Sequence, residues 1–238
     1  MAKTSAEPIK KENVIKVFVV DDHPIIRQGL AQLIRQEDDM VYCGDAEDAP
    51  EALKGIETSR PTVILVDITL KTTSGIELIK DIRIRHPELP VLVLSMHDES
   101  FYAERVLRAG ARGYVMKEEA TEKVVSAIRK VLAGEIYLSD KMAANMLSKL
   151  VEGRDGTKAF PIERLSDREL EVFELIGRGM GTRQIANKLH LSVKTIESHR
   201  ANLKVKLRVD TATELLRHAI NWVQSEKANT IDPSGTRP

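Results

Sequence analysis

Asp21 and Asp22 in VFVVDDHP, Asp67 in ILVDITL, Ser95 in LVLSMHD and Lys117 in GYVMK each follow or end a short apolar run. Adjacent carboxylates repel, so the Asp21–Asp22 pair calls for a cation or water beside it. Three carboxylates, a hydroxyl and an ammonium gathered at one edge form a site for a hard cation and a phosphoryl group. Carboxylates and water hold Mg²⁺ in oxygen geometry, while metal and lysine neutralise the anion. Pro24 suits this, because it presets the first turn of the next helix and leaves the carboxylates in the preceding loop. Singly, each residue has an ordinary explanation, such as a helix cap or a turn. Their coincidence at equivalent strand ends is what a solvated loop residue has no reason to respect.

The elements that must position these groups are visible in the hydrophobic pattern. Between residues 14 and 133 the runs IKVFVV, MVYCGD, TVILVD, VLVLS and GYVM alternate with helical periods at 24–36, 49–58, 75–85, 99–108 and 121–132. Near-continuous apolar strands separated by helices predict a parallel sheet covered on both faces. Right-handed crossovers and five strands favour a doubly wound, flavodoxin-like α/β domain, whose ligands bind outside the carboxyl ends of the strands. Residues 134–164 read as a linker carrying one helix near 140–151 and the Gly- and charge-rich stretch EGRDGTKAFPIE. Residues 165–223 show only helical periods, at 167–177, 182–189, 193–206 and 211–222, and predict a small all-α domain. The tails 1–13 and 224–238 have little to bury and are expected to be flexible.

A length of 238 residues suffices for two cores, and 42% hydrophobic with 30% charged residues excludes a disordered or fibrous chain. The single cysteine, Cys43, forms no intramolecular disulfide and suits a reduced, buried thiol. The N-terminus has no apolar signal region and no run approaches the ~20 residues of a membrane span, so a cytoplasmic protein without a membrane partner is expected. Net charge is zero, so a nucleic-acid surface must appear as local asymmetry. It does: Glu163 to Glu174 holds five acids against two bases, whereas Ile176 to Arg208 holds eight bases against Glu197 alone. Ser166 with Glu169 three residues on forms a capping box, and Ser192 takes the same place before VKT. Glycines 177, 179 and 181 interrupt the chain before 182–189, and the turn HLS leads into 193–206, the outline of a helix-turn-helix. A basic block confined to that unit is an electrostatic footprint for DNA phosphates.

Residues 14–133 resemble the receiver domain of bacterial two-component response regulators. The resemblance implies that Asp67 accepts a phosphoryl group from a sensor histidine kinase, and that Asp21, Asp22, Asp67 and the Thr69 carbonyl hold Mg²⁺. It makes Ser95 the switch hydroxyl, Tyr114 the switch aromatic that turns inward, and Lys117 the phosphate-pairing lysine. One residue departs from the pattern: Lys71 stands four places after the acceptor, where a proline is usual. His23 and His97 read as loop residues that tune the site. The C-terminal region resembles the LuxR-type helix-turn-helix, so the two halves together resemble the NarL/FixJ class. The resemblance thus implies a regulator rather than an enzyme, whose only catalysis is its own phosphoryl transfer and dephosphorylation.

On the helix 193–206, Val193, Ile196, Leu203 and Leu207 are spaced to face the core, while Lys194, Glu197, Ser198 and Ala201 share the opposite face. That face is expected to enter the major groove, with Glu197 accepting from a cytosine amino group. Thr195 joins the DNA-binding set, and Arg200, Asn202, Lys204 and Lys206 are expected phosphate or flank contacts. The last helix offers Leu215, Leu216, Ala219 and Trp222 as dimer contacts, for a homodimer on double-stranded promoter DNA with half-sites about 10 base pairs apart or adjoining. Two rivals remain. A haloacid-dehalogenase-like phosphatase is disfavoured by Thr69 standing where a second aspartate is needed. A phosphate-independent regulator with the receiver as dimerisation scaffold is disfavoured by the intact acidic pair and Lys117.

Overall fold

The computed structural model describes residues 14–70, 73–151 and 161–228; Lys71, both ends of the chain and the linker stretch 152–160 lie outside these residues. The first domain runs β1 (Ile15–Val20), α1 (Pro24–Ile34), β2 (Met40–Ala46), α2 (Ala49–Ser59), β3 (Val63–Val66), α3 (Gly75–Arg85), β4 (Val91–Ser95), α4 (Glu99–Ala109), β5 (Gly113–Met116) and α5 (Ala120–Leu132). All five strands are parallel, in the order β2-β1-β3-β4-β5, the doubly wound flavodoxin-like arrangement. The chain reverses its winding direction between β1 and β3, so the loops after these two strands splay apart and open a crevice at their carboxyl ends.

Alternate residues of each strand divide between two apolar layers. Phe18, Val20, Ile64, Val66, Val91 and Val93 pack on one face, and Val17, Val19, Val63, Leu65, Leu92 and Leu94 on the other. Each such side chain contributes about 1.5–3 kcal/mol when fully buried, which is why the strands carry no polar alternation. Side-chain caps set the helix starts: Asp48 accepts from the Glu51 amide, Ser74 from Ile76 and Asp98 from Ser100. Cys43 falls where the β1–β2 register shifts and is half-buried rather than enclosed, its thiol donating to the Val17 carbonyl at 3.3 Å.

After α6 (Asp140–Val151), the second domain consists of α7 (Asp167–Gly177), α8 (Thr182–Lys188), α9 (Val193–Leu207) and α10 (Ala212–Ala228). The Ser166–Glu169 capping box is formed, and Ser192 caps α9 by accepting from the Thr195 amide. The turn into α9 takes His190 through the left-handed region, φ 52°, a conformation rare for a residue with a Cβ. Ile196, Leu203 and Leu207 are buried, but Val193 is 40% exposed. It is the first residue of α9, and the predicted core stripe begins one turn later at Ile196. Among the described residues no helix is long and apolar enough to cross a membrane.

The two apolar cores are continuous. The layer containing Phe18 and Ile64 extends through Phe101 and Val106 of α4 to Leu170 and Phe173 of α7. The helical domain is therefore docked on the receiver-like domain.

Candidate functional site

At the carboxyl edge of the sheet, β1 delivers Asp21 and Asp22, β3 Asp67, β4 Ser95 and β5 Lys117. The Lys117 ammonium lies 2.6 Å from both Asp21 Oδ2 and Asp67 Oδ2, and all three side chains are almost fully buried. Burial pushes the Asp67 carboxyl up to about 6, the Lys117 charge opposing and the Asp21 charge reinforcing the rise. Burial alone would depress Lys117, but the charges of Asp67 and Asp21 outweigh it and hold the ammonium above its ordinary range. Asp67 Oδ1 is buried and has no hydrogen-bond partner among the described residues. An orphaned carboxylate oxygen is costly, so it marks a place where a cation or donor is needed. Asp21, Asp22, His23 and Asp67 each offer a ligand atom, all within 4.8 Å of one another. An oxygen-rich donor set with an unsatisfied carboxylate fits a hard divalent cation.

The backbone around the acceptor is held by a close approach that sequence reading did not single out. The Gly75 amide donates to the Ile68 carbonyl at 2.6 Å, and a Cβ on Gly75 would lie 1.9 Å from the Asp67 carbonyl oxygen. Gly75→Ala is expected to destabilise the first domain by about 1–3 kcal/mol, as overpacking against backbone does. The urea midpoint of the full chain checks this, and an unchanged midpoint would mean that the loop yields freely.

Ser95 is fully buried, and its hydroxyl accepts from the His97 amide at 3.2 Å. Tyr114 was expected to turn inward only on phosphorylation, yet it is already buried, donating to the His97 carbonyl at 2.8 Å. That bond to the backbone of His97, read above as a loop residue that tunes the site and here itself buried, anchors the ring inward. His97 Nδ1 is 2.9 Å from Glu174 Oε2 and Nε2 is 2.9 Å from Thr69 Oγ1, while Thr69 donates to Glu171 Oε1 at 2.8 Å. A doubly protonated ring satisfies both contacts at once. Burial would lower the His97 pKa, but the Glu174 hydrogen bond and charge, with Glu171, raise it above the usual imidazole range. Thr69 was expected to present its carbonyl to a metal; its side chain belongs to this network.

The helix-turn-helix places Lys194, Glu197, Ser198, Ala201 and Asn202 on the open face of α9, with Arg200 and Lys204 half-exposed beside them. Thr195 is partly covered, and its hydroxyl meets that of Ser192 at 2.8 Å. Lys206, expected at a phosphate, is 2.6 Å from the buried Glu169 carboxylate. That ion pair and the Ser166 cap overcome burial and hold Glu169 below the usual carboxylate range. On α10, Leu215 and Ala219 are fully buried in the domain's own core. Trp222 stacks on Phe101 of α4 with ring centroids 4.4 Å apart, and on Phe173 at 5.4 Å. Only Leu216 of the four dimer candidates is an exposed large hydrophobic.

A doubly wound sheet with a lysine-bridged acidic pocket at its switch point, joined to a basic helix-turn-helix, defines a receiver coupled to a nucleic-acid-binding module. Residues 17–129 match the family model of the response regulator receiver domain, and residues 163–219 match that of the bacterial regulatory proteins of the luxR family. The chain is 34% identical over 210 residues to the oxygen regulatory protein NreC of Staphylococcus carnosus (strain TM300), covering 87% of this chain and 97% of NreC. Among solved structures it resembles the RcsB response regulator of Salmonella typhimurium, with a TM-score of 0.61 and 28% identity over 90% of this chain and 98% of that one. It also resembles RcsB of Salmonella enterica serovar Typhimurium bound to promoter rprA in the presence of phosphomimetic BeF3-, with a TM-score of 0.56 and 28% identity over 87% of this chain and 99% of that one. The chain belongs to the two-component response regulators of the NarL/FixJ class, in which a receiver domain is joined to a LuxR-type helix-turn-helix.

Proposed function

We propose that this protein is a phosphorylation-gated, DNA-binding transcription regulator whose acceptor is Asp67. The observation that carries the reading is the buried Asp67 carboxylate, fixed by Lys117 through one oxygen and left without a partner on the other. Such a carboxylate is positioned to attack phosphorus. The Asp67 oxygen forms the new P–O bond, the P–N bond of a phosphohistidine on a sensor kinase breaks, and the imidazole leaves as the neutral base once protonated. Such transfer depends on positioning and charge neutralisation, so no catalytic base is required from this chain. Asp21, Asp22, Asp67 and the Thr69 carbonyl are the residues that would hold Mg²⁺, which when bound neutralises charge on the phosphoryl oxygens. Lys117 pairs with the phosphoryl group and Ser95 donates to it. The phosphatase rival has no second aspartate beside the acceptor.

The DNA contacts fall to α9. Lys194, Glu197, Ser198 and Ala201 face the major groove, and Arg200, Asn202 and Lys204 meet phosphates or flanking positions. Lys206 joins them on release from Glu169. The promoter complex of RcsB with a phosphate mimic supports carrying both halves of this reading to the present chain. Dimerisation on DNA would use the exposed edge of α10 around Leu216.

The test is duplex selection and affinity at fixed salt, with and without a small-molecule phosphodonor and Mg²⁺. Tighter binding with the donor is expected, and unchanged binding without acyl phosphate would favour the scaffold reading. Glu197→Ala is expected to relax preference at one cytosine per half-site, at a cost of about 1–3 kcal/mol for the native base. If the loss is the same for every base at every position, Glu197 reads none of them.

A further inference from the structure

His97 is a junction through which every polar group of one residue is committed. Its amide is bonded to Ser95, its carbonyl to Tyr114, Nε2 to Thr69 and Nδ1 to Glu174 of the DNA-binding domain. Glu174 is fully buried and also accepts from Tyr102 of α4 at 3.0 Å, and Glu171 beside it accepts from Thr69. The helical domain thus inserts two carboxylates over the edge of the sheet where Asp67 lies. Each carboxylate pairs within its own domain, Glu171 with Arg168 and Glu174 with Arg178, and takes its remaining partners from the receiver.

The same docking flanks the recognition helix. Thr73, Ser74 and Glu77 of the receiver face Leu191, Thr195 and His199 across a cavity of about 330 Å³. His190 of the turn into α9 lies 3.6 Å from Asp22. A major groove is about 12 Å wide, so its phosphate walls pass close on both sides of a seated helix. Here one of those sides is taken by the receiver and carries the Glu77 carboxylate.

Resting on the phospho-acceptor reading, we infer that His97 is the positioning residue that carries the signal from the acceptor to the DNA-binding domain, by holding α7 through Glu174 until Asp67 is phosphorylated. When the Ser95 side chain swings toward a phosphoryl oxygen to donate to it, its oxygen moves away from the His97 amide, and the loop that carries the imidazole shifts. The phosphoryl dianion also adds negative charge beside Glu171 and Glu174. Both effects act against docking. Tyr114, already inward in the docked state, does not report the change.

The test measures three quantities on the full chain, with and without acetyl phosphate plus Mg²⁺: acyl phosphate on Asp67, maximum dimension by small-angle scattering, and affinity for a duplex selected from a random pool. The variants are Glu174→Gln, which leaves every receiver group in place, and Lys80→Ala, which removes an interdomain ion pair with Asp167 on the outer face of α3. The unmodified chain is expected to extend and bind tighter with the donor. Glu174→Gln is expected to be extended without it and to bind about tenfold tighter from the start, within the usual range of interdomain coupling. Its further gain with donor should fall below about twofold although acyl phosphate forms, whereas Lys80→Ala should still respond. The inference is overturned if phosphorylated Glu174→Gln retains the full response of the unmodified chain. It also falls if the phosphorylated, unmodified chain stays compact. Absence of acyl phosphate in the unmodified chain defeats the acceptor reading itself, and the inference with it.

Discussion

Asparagine at position 67 is expected to abolish acyl phosphate formation while making the metal-free protein more stable at neutral pH. Amide nitrogen and oxygen supply no anionic nucleophile, so phosphodonor-dependent DNA binding disappears with the acyl phosphate. The gain in stability follows from the raised carboxyl. Asp67 titrates near 6 in the folded chain, mainly because it is buried, against an ordinary value of 3.8. A folded-state value above the unfolded one means that ionisation costs more in the folded chain. The penalty is absent below about pH 4, grows as pH rises through the folded value and is fully present at pH 7. Asp67→Asn removes it, for a gain on the order of 1–3 kcal/mol in magnesium-free buffer. Urea unfolding at several pH values checks this: the two chains should agree at acid pH and diverge between about 4 and 6. A variant less stable at every pH would mean that the Lys117 contact outweighs desolvation.

Lys117→Met is the second large effect, of opposite sign. The ammonium lies 2.6 Å from both Asp21 and Asp67, and nothing else among the described residues supplies a positive charge to both. Removing it leaves two buried carboxylates facing each other. Breaking a buried ion pair from one side costs about 3–5 kcal/mol. Asp67 should then titrate higher still, since the charge that holds it down is gone. If the acidic pocket holds Mg²⁺, millimolar Mg²⁺ should recover a large part of the loss, because the cation replaces the missing charge. Unfolding in chelator and in Mg²⁺ distinguishes the cases. Equal loss in both would mean that the pocket does not take the metal.

These predictions share one physical feature: the acceptor is a strained site kept in place by the fold around it. Buried like charges are unfavourable unless something holds them, and here β1, β3 and β5 each bring one member from a different part of the chain. The crowding of Gly75 against the Asp67 carbonyl shows how little freedom the loop retains. Docking of α7 adds a second such cluster beside the first, in which Glu171 and Glu174 pair with Arg168 and Arg178 of their own domain and take Thr69 and His97 from across the boundary. The apolar contact of Trp222 with Phe101 strengthens that boundary, and it occupies a ring that periodicity alone would offer to a second copy of the chain.

The residues that end the strands were legible from the sequence. Continuous apolar runs define parallel strands, and the carboxyl ends of parallel strands in a doubly wound sheet meet at one edge, so Asp21, Asp67, Ser95 and Lys117 could be brought together without coordinates. The helix starts at Ser166 and Ser192 were legible for the same kind of reason, since a cap acts over three residues of chain. The charge contrast between Glu163–Glu174 and Ile176–Arg208 was visible too, but its meaning was only half readable. Glu171 and Glu174 counted only as acids of that stretch; their partners Thr69 and His97 stand 102 and 77 residues away, beyond any local pattern. The inward Tyr114, the exposed first turn of α9 at Val193 and the capture of Lys206 by Glu169 have the same origin. Local sequence determines which elements form and which side chains stand at their ends, because those depend on spacing along one helix or strand. Which face meets which across a domain boundary depends on shape and charge summed over both surfaces, and only the tertiary structure decides that.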